Sequence, residues 1–142
     1  MPDARPQAGP KARVVLSFDY GLKYIGVAVG QRITGTASPM APVRANQGKP
    51  DWPAIERLIR EWQPDQLIVG EPLNMDDTQS EMADRAARFA RQLEGRYGLP
   101  VALIDERLTS REAAQMADTP ADRHGIAAML IAESWLAETG RS

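Results

Sequence analysis

Hydrophobic residues cluster in two short runs near the start of the chain, at residues 14–18 and 25–29. Both runs are rich in β-branched residues, which favour strands, and a tight turn containing Gly21 separates them. A third run, residues 32–38, also contains β-branched residues and follows a short turn around Gln31. Three strands joined by such short links predict an antiparallel meander.

Beyond this meander the chain alternates between helix-like and strand-like patterns. Asp51 can cap a helix that has Pro53 in its first turn, and residues 63–65 stop that helix. Its apolar residues repeat at the spacing of one helical face: Ile55, Leu58, Ile59 and Trp62. Residues 66–70 form a short apolar run between turn residues, which predicts a buried strand.

The second half of the chain repeats this alternation. A second helix ends near Gly98 and carries the apolar stripe Met82, Ala86, Phe89 and Leu93. Residues 101–105 predict another buried strand, and a capping box at residues 109–112 predicts the start of a helix. The last helix is expected from about residue 122 to residue 136.

The order βββαβαβαα predicts an α/β fold built on a mixed five-stranded sheet. The first three strands are expected to be antiparallel because their links are short. The later strands are separated by helices and are therefore expected to be parallel, with the helices covering the faces of the sheet.

Composition and charge narrow the possible functions. The 142 residues are long enough for one domain, predicted over residues 13–138, and the proline-rich residues 1–12 predict a flexible arm. A net charge of −2 argues against binding a polyanion through net charge alone, so nucleic-acid binding would need a local basic surface. The chain has no cysteine, which excludes disulfides and thiolate-bound zinc. No membrane-length apolar stretch or signal-peptide pattern is present, so a cytoplasmic protein without membrane contact is expected.

Acidic residues end two of the predicted apolar strands. Asp19 ends the first strand, and Asp105 and Glu106 follow the last one. A carboxylate at such a position costs free energy unless a cation meets it. Successive strand residues face opposite ways, so at most one of Asp105 and Glu106 can share the face of Asp19. Converging carboxylates suit Mg²⁺ and phosphoryl chemistry, although these acids could instead cap loops or pair with Arg107.

Several motifs together resemble the YqgF family of pre-16S ribosomal RNA nucleases, also called Holliday-junction-resolvase-like proteins. The matching motifs are FDYG at residues 18–21, IGVAVG at residues 25–30, VGEPLNMD at residues 69–76 and DERLT at residues 105–109. The resemblance covers nearly the whole chain from residue 13 to residue 136. It implies an RNase H-like fold and a metal-dependent endonuclease that matures the 5′ end of precursor 16S rRNA.

The resemblance also implies a ligand set for Mg²⁺ or Mn²⁺. Asp19 would be the first metal-binding carboxylate and Glu106 the second. The family's last acid opens the final helix, but here His124 stands where an aspartate is usual, and some related resolvases use histidine there. Asp122 is an alternative ligand; a helix turns by about 200° over two residues, so the two side chains are not expected to converge. An imidazole ligand would favour Mn²⁺ over Mg²⁺, whereas a purely structural His124 would cap the helix.

Other positions depart from the family pattern or suggest nucleic-acid contacts. Tyr24 replaces a common arginine and could stack on a base, Glu71 replaces a leucine, and the segment before His124 is several residues short. Asn74 could hydrogen-bond a nucleotide or form an Asx-turn. The residues expected to form a basic surface are Lys23, Arg32, Arg85, Arg88, Arg91, Arg96 and Arg107. Alternatively, the arginines of the second helix form a solvated face balanced by nearby acids.

Three functions therefore compete. The first is cleavage of structured RNA, which makes precursor rRNA or a ribosomal particle the expected partner. The second is resolution of branched DNA, which would favour a stable symmetric dimer, whereas a monomer or weak dimer is expected for the first. The third is a non-catalytic RNA-binding module, suggested by the altered final motif.

Overall fold

The computed structural model describes residues 12–72, 81–105 and 120–140, except for the side chains of residues 120–122. The strands are β1 (Val14–Asp19), β2 (Tyr24–Gln31), β3 (Thr36–Asn46), β4 (Lys49–Pro50), β5 (Gln66–Glu71) and β6 (Val101–Asp105). The helices are α1 (Trp52–Trp62), α2 (Glu81–Tyr97) and α3 (Pro120–Thr139). The predicted N-terminal arm up to residue 11 and the capping box at residues 109–112 lie outside the described residues. In the described part of the chain, no helix combines the length and the hydropathy needed to cross a membrane.

The six strands form one mixed sheet in the order β4-β3-β2-β1-β5-β6. Each of the strands β1 to β3 pairs antiparallel with the strand that follows it in the sequence. On the other side of β1, β5 pairs with β1 in parallel, and β6 pairs with β5 in parallel. This arrangement confirms the predicted mixed sheet. The strand missing from the prediction is β4, which pairs with the end of β3 across the two turn residues Gln47 and Gly48. Both have positive φ angles, 51° and 85°, as a two-residue hairpin of the I′ kind requires.

The third strand exists as predicted, but its predicted bounds, residues 32–38, are wrong. Residues 32–35 form the turn between β2 and β3, and β3 begins only at Thr36. Gly35 has a φ angle of 69°, and its N–H donates to the carbonyl of Gln31, which closes the turn. Ile33, whose β-branched side chain suggested a strand, lies in this turn and is 90% exposed. A β-branched residue is a weak strand signal when tight turn geometry surrounds it.

Two apolar layers cover the faces of the sheet. Helices α1 and α2 pack on one face, where Phe89 of α2 contacts the rings of Phe18, Tyr20 and Trp52. Helix α3 packs on the other face, with Ile131 and the buried Trp135 in its core. The layers agree with the predicted helical stripes, and α1 begins as expected because the Asp51 carboxylate accepts from the N–H of Ala54.

Arg32 belongs to the α3 layer rather than to a nucleic-acid surface. Its guanidinium donates to the carbonyls of Ala12 and Leu136 and to the hydroxyl of Thr139, at 2.9–3.1 Å. It also lies 5.3 Å from the ring centroid of Trp135. Arg32 therefore ties the β2–β3 turn to the last turn of α3, where helix carbonyls need donors.

We expect Arg32→Gln to lower the free energy of unfolding by about 2 kcal/mol, because charge-assisted hydrogen bonds and the contact with the Trp135 ring are lost together. Urea unfolding followed by Trp fluorescence and circular dichroism measures this loss. The matched control is Arg57→Gln on the exposed side of α1, which is expected to change stability by less than about 0.5 kcal/mol. Equal stabilities of the two variants would contradict a stabilising role for the contacts between Arg32 and the end of α3.

Candidate active site at the end of strand β1

Asp19 is the last residue of β1, a central strand that lies between β2 and β5. The residue is buried, with a relative exposure of 7%. Side chains alternate along a strand, and Val15 and Ser17 face α3. The Ser17 hydroxyl donates to the carbonyl of Ala128, which fixes α3 against β1. Asp19 therefore lies on the α3 face of the sheet.

His124, in the first half of α3, meets this carboxylate. Its Nδ1 atom lies 2.9 Å from Asp19 Oδ2. An ionised carboxylate only accepts hydrogen bonds, so the imidazole Nδ1–H is the donor. The hydrogen bond to Asp19 raises the pKa of His124 above its usual value of 6.5; desolvation by burial opposes this effect, the charge of Asp19 adds to it, and Arg123 opposes it. The structure thus brings together two of the residues predicted to form the site.

Glycines allow α3 to approach the sheet this closely. A Cβ atom at Gly26 of β2 would lie 2.0 Å from the carbonyl oxygen of His124 and 2.3 Å from its carbonyl carbon. A Cβ atom at Gly21 would lie 2.4 Å from the carbonyl oxygen of Tyr24 and 3.5 Å from the His124 ring. No role for Gly26 was predicted from the sequence. The available signal was a glycine inside a strand pattern, which often marks a close backbone approach.

A divalent cation between these two side chains would replace the Nδ1 proton, because an imidazole nitrogen binds a metal only in its deprotonated form. Two neighbouring ligands of an octahedral ion, each about 2.1 Å from the metal, are about 3.0 Å apart. The separation of 2.9 Å between His124 Nδ1 and Asp19 Oδ2 matches that spacing. Among the described residues no group of three or more His, Asp and Glu side chains could hold a metal. Glu106, predicted as the next ligand, lies outside the described residues, as does the side chain of Asp122.

Among the described residues, two other acids at strand ends, Asp105 and Glu71, do not share the face of Asp19. Strands β1 and β6 are not neighbours, because β5 lies between them. Ala102 and Ile104 pack towards α3, so alternation places Asp105 on the opposite face from Asp19. Glu71 also lies on that opposite face, because Leu67 and Val69 of the same strand pack towards α1 and α2.

Two adjoining depressions surround the loop after Asp19. One has a volume of about 540 Å³ and reaches His124; the other is an open cleft of about 1110 Å³ that reaches Arg85. Lys23 and Tyr24 line both depressions. Arg88 is exposed on α2 and lines neither, and Asn74 and Arg107 lie outside the described residues. The predicted basic surface is therefore divided, and Arg96 instead stacks 4.0 Å above the ring of Trp52.

The hydrogen bond between Asp19 and His124 can be tested in the metal-free protein by titrating His124. Its NMR signals are unambiguous, because it is the only histidine in the chain. We expect its pKa, measured by NMR titration of the ring protons, to be above 6.5 and to fall in Asp19→Asn, since the neutral amide no longer stabilises the imidazolium. The Arg123→Gln variant is the control and is expected to raise this pKa slightly, because a nearby positive charge is removed. An unchanged His124 pKa in Asp19→Asn would contradict the paired geometry.

The same shift makes stability depend on pH. Because the pKa is higher in the folded protein than in the unfolded chain, protonated His124 stabilises the fold. This contribution is fully present below the unfolded pKa and is lost as the pH rises through the folded pKa. His124→Gln should therefore destabilise the metal-free protein more at about pH 5.5 than at about pH 8.5. Urea unfolding of both proteins at the two pH values measures the difference.

Comparison with known proteins identifies sequence relatives of this chain. A sequence model of RuvX, described as a Holliday junction resolvase, matches residues 13–138. An Azotobacter vinelandii protein named "Putative pre-16S rRNA nuclease" is 51% identical over 139 residues, which cover 92% of this chain and 96% of that protein. A Pseudomonas putida protein of the same name is 52% identical over 135 residues, covering 87% of this chain and 94% of that protein.

Solved structures show the same fold at much lower identity. RuvC of T. thermophilus in complex with a Holliday junction substrate aligns with a TM-score of 0.55 and 13% identity, covering 92% of this chain and 98% of that chain. The fowlpox virus resolvase with Holliday junction DNA also aligns with a TM-score of 0.55, at 12% identity, covering 88% of this chain and 97% of that chain. At such identities the similarity shows the fold alone, an RNase H-like mixed sheet flanked by helices.

Proposed function

The chain belongs to the RuvX family, and we propose that it is a metal-dependent endonuclease that cleaves structured RNA. The proposed substrate is precursor 16S rRNA, cleaved during maturation of its 5′ end. The observation that carries this proposal is the pairing of Asp19 with His124 at the carboxyl end of a central strand. Ligand sites in α/β sheets favour this edge.

Precursor rRNA is favoured over branched DNA by the degree of relatedness. Relatives that are about half identical to this chain carry the name of a pre-16S rRNA nuclease. The structures that contain Holliday junction DNA are only 12–13% identical. Substrate choice diverges faster than fold, so the nearer relatives are the better guide. This role implies a cytoplasmic location.

Asp19 and His124 would hold Mg²⁺ or Mn²⁺, with Glu106 as the third ligand. When bound, such a cation stabilises charge on the scissile phosphate and lowers the pKa of a coordinated water molecule. The imidazole of His124 is a softer donor than the usual aspartate, which favours Mn²⁺. Asp122 is the alternative ligand from the same helix.

The protein surroundings prepare this site in three ways. The Asp19 carboxylate is buried at a fixed strand end, so little rearrangement is needed for it to bind a cation. Lys23 lines the depression that reaches His124, and its positive charge can attract the substrate phosphates. Met82 and Tyr20 give the same depression apolar walls, which strengthen electrostatic interactions by limiting water.

The experiment is cleavage of a precursor 16S rRNA fragment and of a four-way DNA junction, each with Mg²⁺ or Mn²⁺. We expect preferential cleavage of the RNA, faster with Mn²⁺, and loss of cleavage in His124→Ala. The variant His124→Asp restores an oxygen ligand and is expected to retain cleavage with a shifted preference towards Mg²⁺.

The alternatives give different results. Faster cleavage of the junction, together with a stable dimer in sedimentation, would establish the DNA resolvase instead. Binding of RNA without cleavage under any metal condition would leave the non-catalytic module. Full activity of His124→Ala would remove the histidine from the metal ligands.

A further inference from the structure

The larger depression beside the candidate active site is a cleft between three parts of the chain. Its walls are the loop after β1, the β3–β4 hairpin and the start of α2, and its volume is about 1110 Å³. That volume lies above the range of about 300–1,000 Å³ typical of small-ligand pockets. The hairpin contributes residues that the sequence analysis did not assign to any site: Arg44, Ala45, Asn46, Gln47, Lys49 and Pro50.

The cleft is strongly cationic. Its positively charged lining residues are Lys23, Arg44, Lys49 and Arg85, and Asp51 is the one acid in the described lining. The Asp51 carboxylate is directed to the N-terminus of α1, where it accepts from the N–H of Ala54 at 3.3 Å. Arg85 pairs with Glu81 at 3.2 Å, but both side chains are exposed, so this pair is weak and can exchange for a phosphate.

Hydrogen bonds attach the hairpin to the loop that follows Asp19. The N–H of Ala45 donates to the carbonyl of Lys23 at 2.9 Å, and the N–H of Gly48 donates to the carbonyl of Leu22 at 2.8 Å. The Tyr20 hydroxyl donates in turn to the carbonyl of Gly48. The cationic hairpin is therefore held in a fixed position relative to the end of β1, where Asp19 lies.

Apolar and aromatic groups lie between the cations. Leu22 is 44% exposed, and Tyr24 is partly exposed beside Arg44, its partner across β2 and β3. Single strands bind to positive grooves that also offer aromatic rings for base stacking, whereas a base-paired helix keeps its bases stacked inside. Leu22, Lys23 and Tyr24 also line the depression that reaches His124. The cleft is thus continuous with the candidate active site.

We propose that the cleft between the β3–β4 hairpin and the loop after Asp19 binds an unpaired segment of nucleic acid next to the scissile phosphate. Arg44, Lys49 and Arg85 contact the phosphates, and Tyr24 stacks on a base where the strand turns towards Asp19. The proposal rests on the proposed nuclease function, because it assigns the substrate's conformation at the same site.

The test is binding of fluorescent single-stranded RNA, single-stranded DNA and duplex RNA, without divalent cations so that no cleavage occurs. We expect single strands to bind more tightly than the duplex. The double variant Arg44→Gln/Lys49→Gln should lose roughly 10-fold in affinity, and the slope of log K against log salt should shrink by about 1.4, because two phosphate contacts disappear. The control Arg57→Gln/Arg60→Gln removes two exposed charges from α1 outside the cleft lining and should leave both values unchanged.

Stacking is tested separately at Tyr24. Tyr24→Ala should weaken single-strand binding roughly 5- to 100-fold, whereas Tyr24→Phe keeps the ring and should bind as the wild type does. Thermal unfolding of each variant separates a lost contact from a lost fold.

The outcomes distinguish this inference from the proposed function. Unchanged affinity and salt slope in the folded hairpin variant would overturn the cleft assignment, even if the wild-type protein cleaves RNA. Tighter binding of the duplex than of single strands would also overturn it. If single strands bind in a way that depends on the hairpin but are never cleaved, single-strand binding by the cleft is supported and the proposed nuclease function is overturned.

Discussion

Asp19→Asn is expected to lower the cleavage rate of the preferred substrate by roughly 10³-fold or more, while the fold remains intact. The asparagine has nearly the same size, but it removes the negative charge that would hold the cation beside His124. Loss of several kcal/mol of charge stabilisation in the transition state corresponds to this factor. Single-turnover cleavage at saturating metal measures the effect on chemistry, and calorimetric titration with Mn²⁺ measures the loss of binding.

Glu71→Gln is the matched control for this substitution. Glu71 is also an acid at the end of a central strand, but it lies on the face of the sheet opposite Asp19. We expect this variant to cleave within about 3-fold of the wild-type rate, because the Glu71 side chain points away from the face that carries Asp19 and His124. The free energy of unfolding of Asp19→Asn should change by no more than about 2 kcal/mol. Equal rate losses in the two variants would argue that general negative charge, rather than Asp19 itself, matters.

Gly26→Ala is expected to damage both the fold and the site. The added methyl group would meet the backbone carbonyl of His124 at 2.0 Å, and backbone cannot rotate away as a flexible side chain can. Helix α3 must shift, at a cost of at least about 3 kcal/mol, which lowers the melting temperature by about 10 °C. A displacement of His124 by about 1 Å would lower cleavage by roughly 10²-fold in the molecules that remain folded.

Gly95→Ala separates this effect from the general consequences of replacing glycine. Gly95 lies in α2, and a Cβ atom there would have no neighbour within 4 Å. Alanine stabilises helices relative to glycine by about 0.5–1 kcal/mol, so this variant should melt slightly above wild type. Calorimetry of both variants, with cleavage measured well below their melting temperatures, completes the comparison. A Gly26→Ala protein as stable and active as wild type would contradict the close contact between β2 and α3.

The periodic segments were predictable because burial of one face imposes a repeat on the sequence. The stripe of α2 and the apolar run of β5 both gave the observed elements. The turn at residues 32–35 and strand β4 were not predicted, because short hairpins depend on backbone angles at Gly35, Gln47 and Gly48. Backbone angles in short turns have little effect on the pattern of hydrophobic residues, so that pattern does not predict them.

The site was predictable in part. Asp19 was identified because a charge at the end of an apolar strand is costly, and His124 was identified through a family resemblance. Their proximity in space could not be obtained from either observation, since they are 105 positions apart in the sequence. The roles of Glu106 and Asp122 remain predictions.

The sequence by itself determined most of the helices and strands, the mixed character of the sheet and the family, because hydrophobic periodicity and motif order are properties of the chain. Only the tertiary structure decided which charges meet. It separated Asp105 and Glu71 from Asp19, assigned Arg32 to the end of α3 and joined the β3–β4 hairpin to the candidate active site. These outcomes depend on strand order, side-chain alternation and the close approach permitted by Gly26, and each of them is fixed by packing between distant segments.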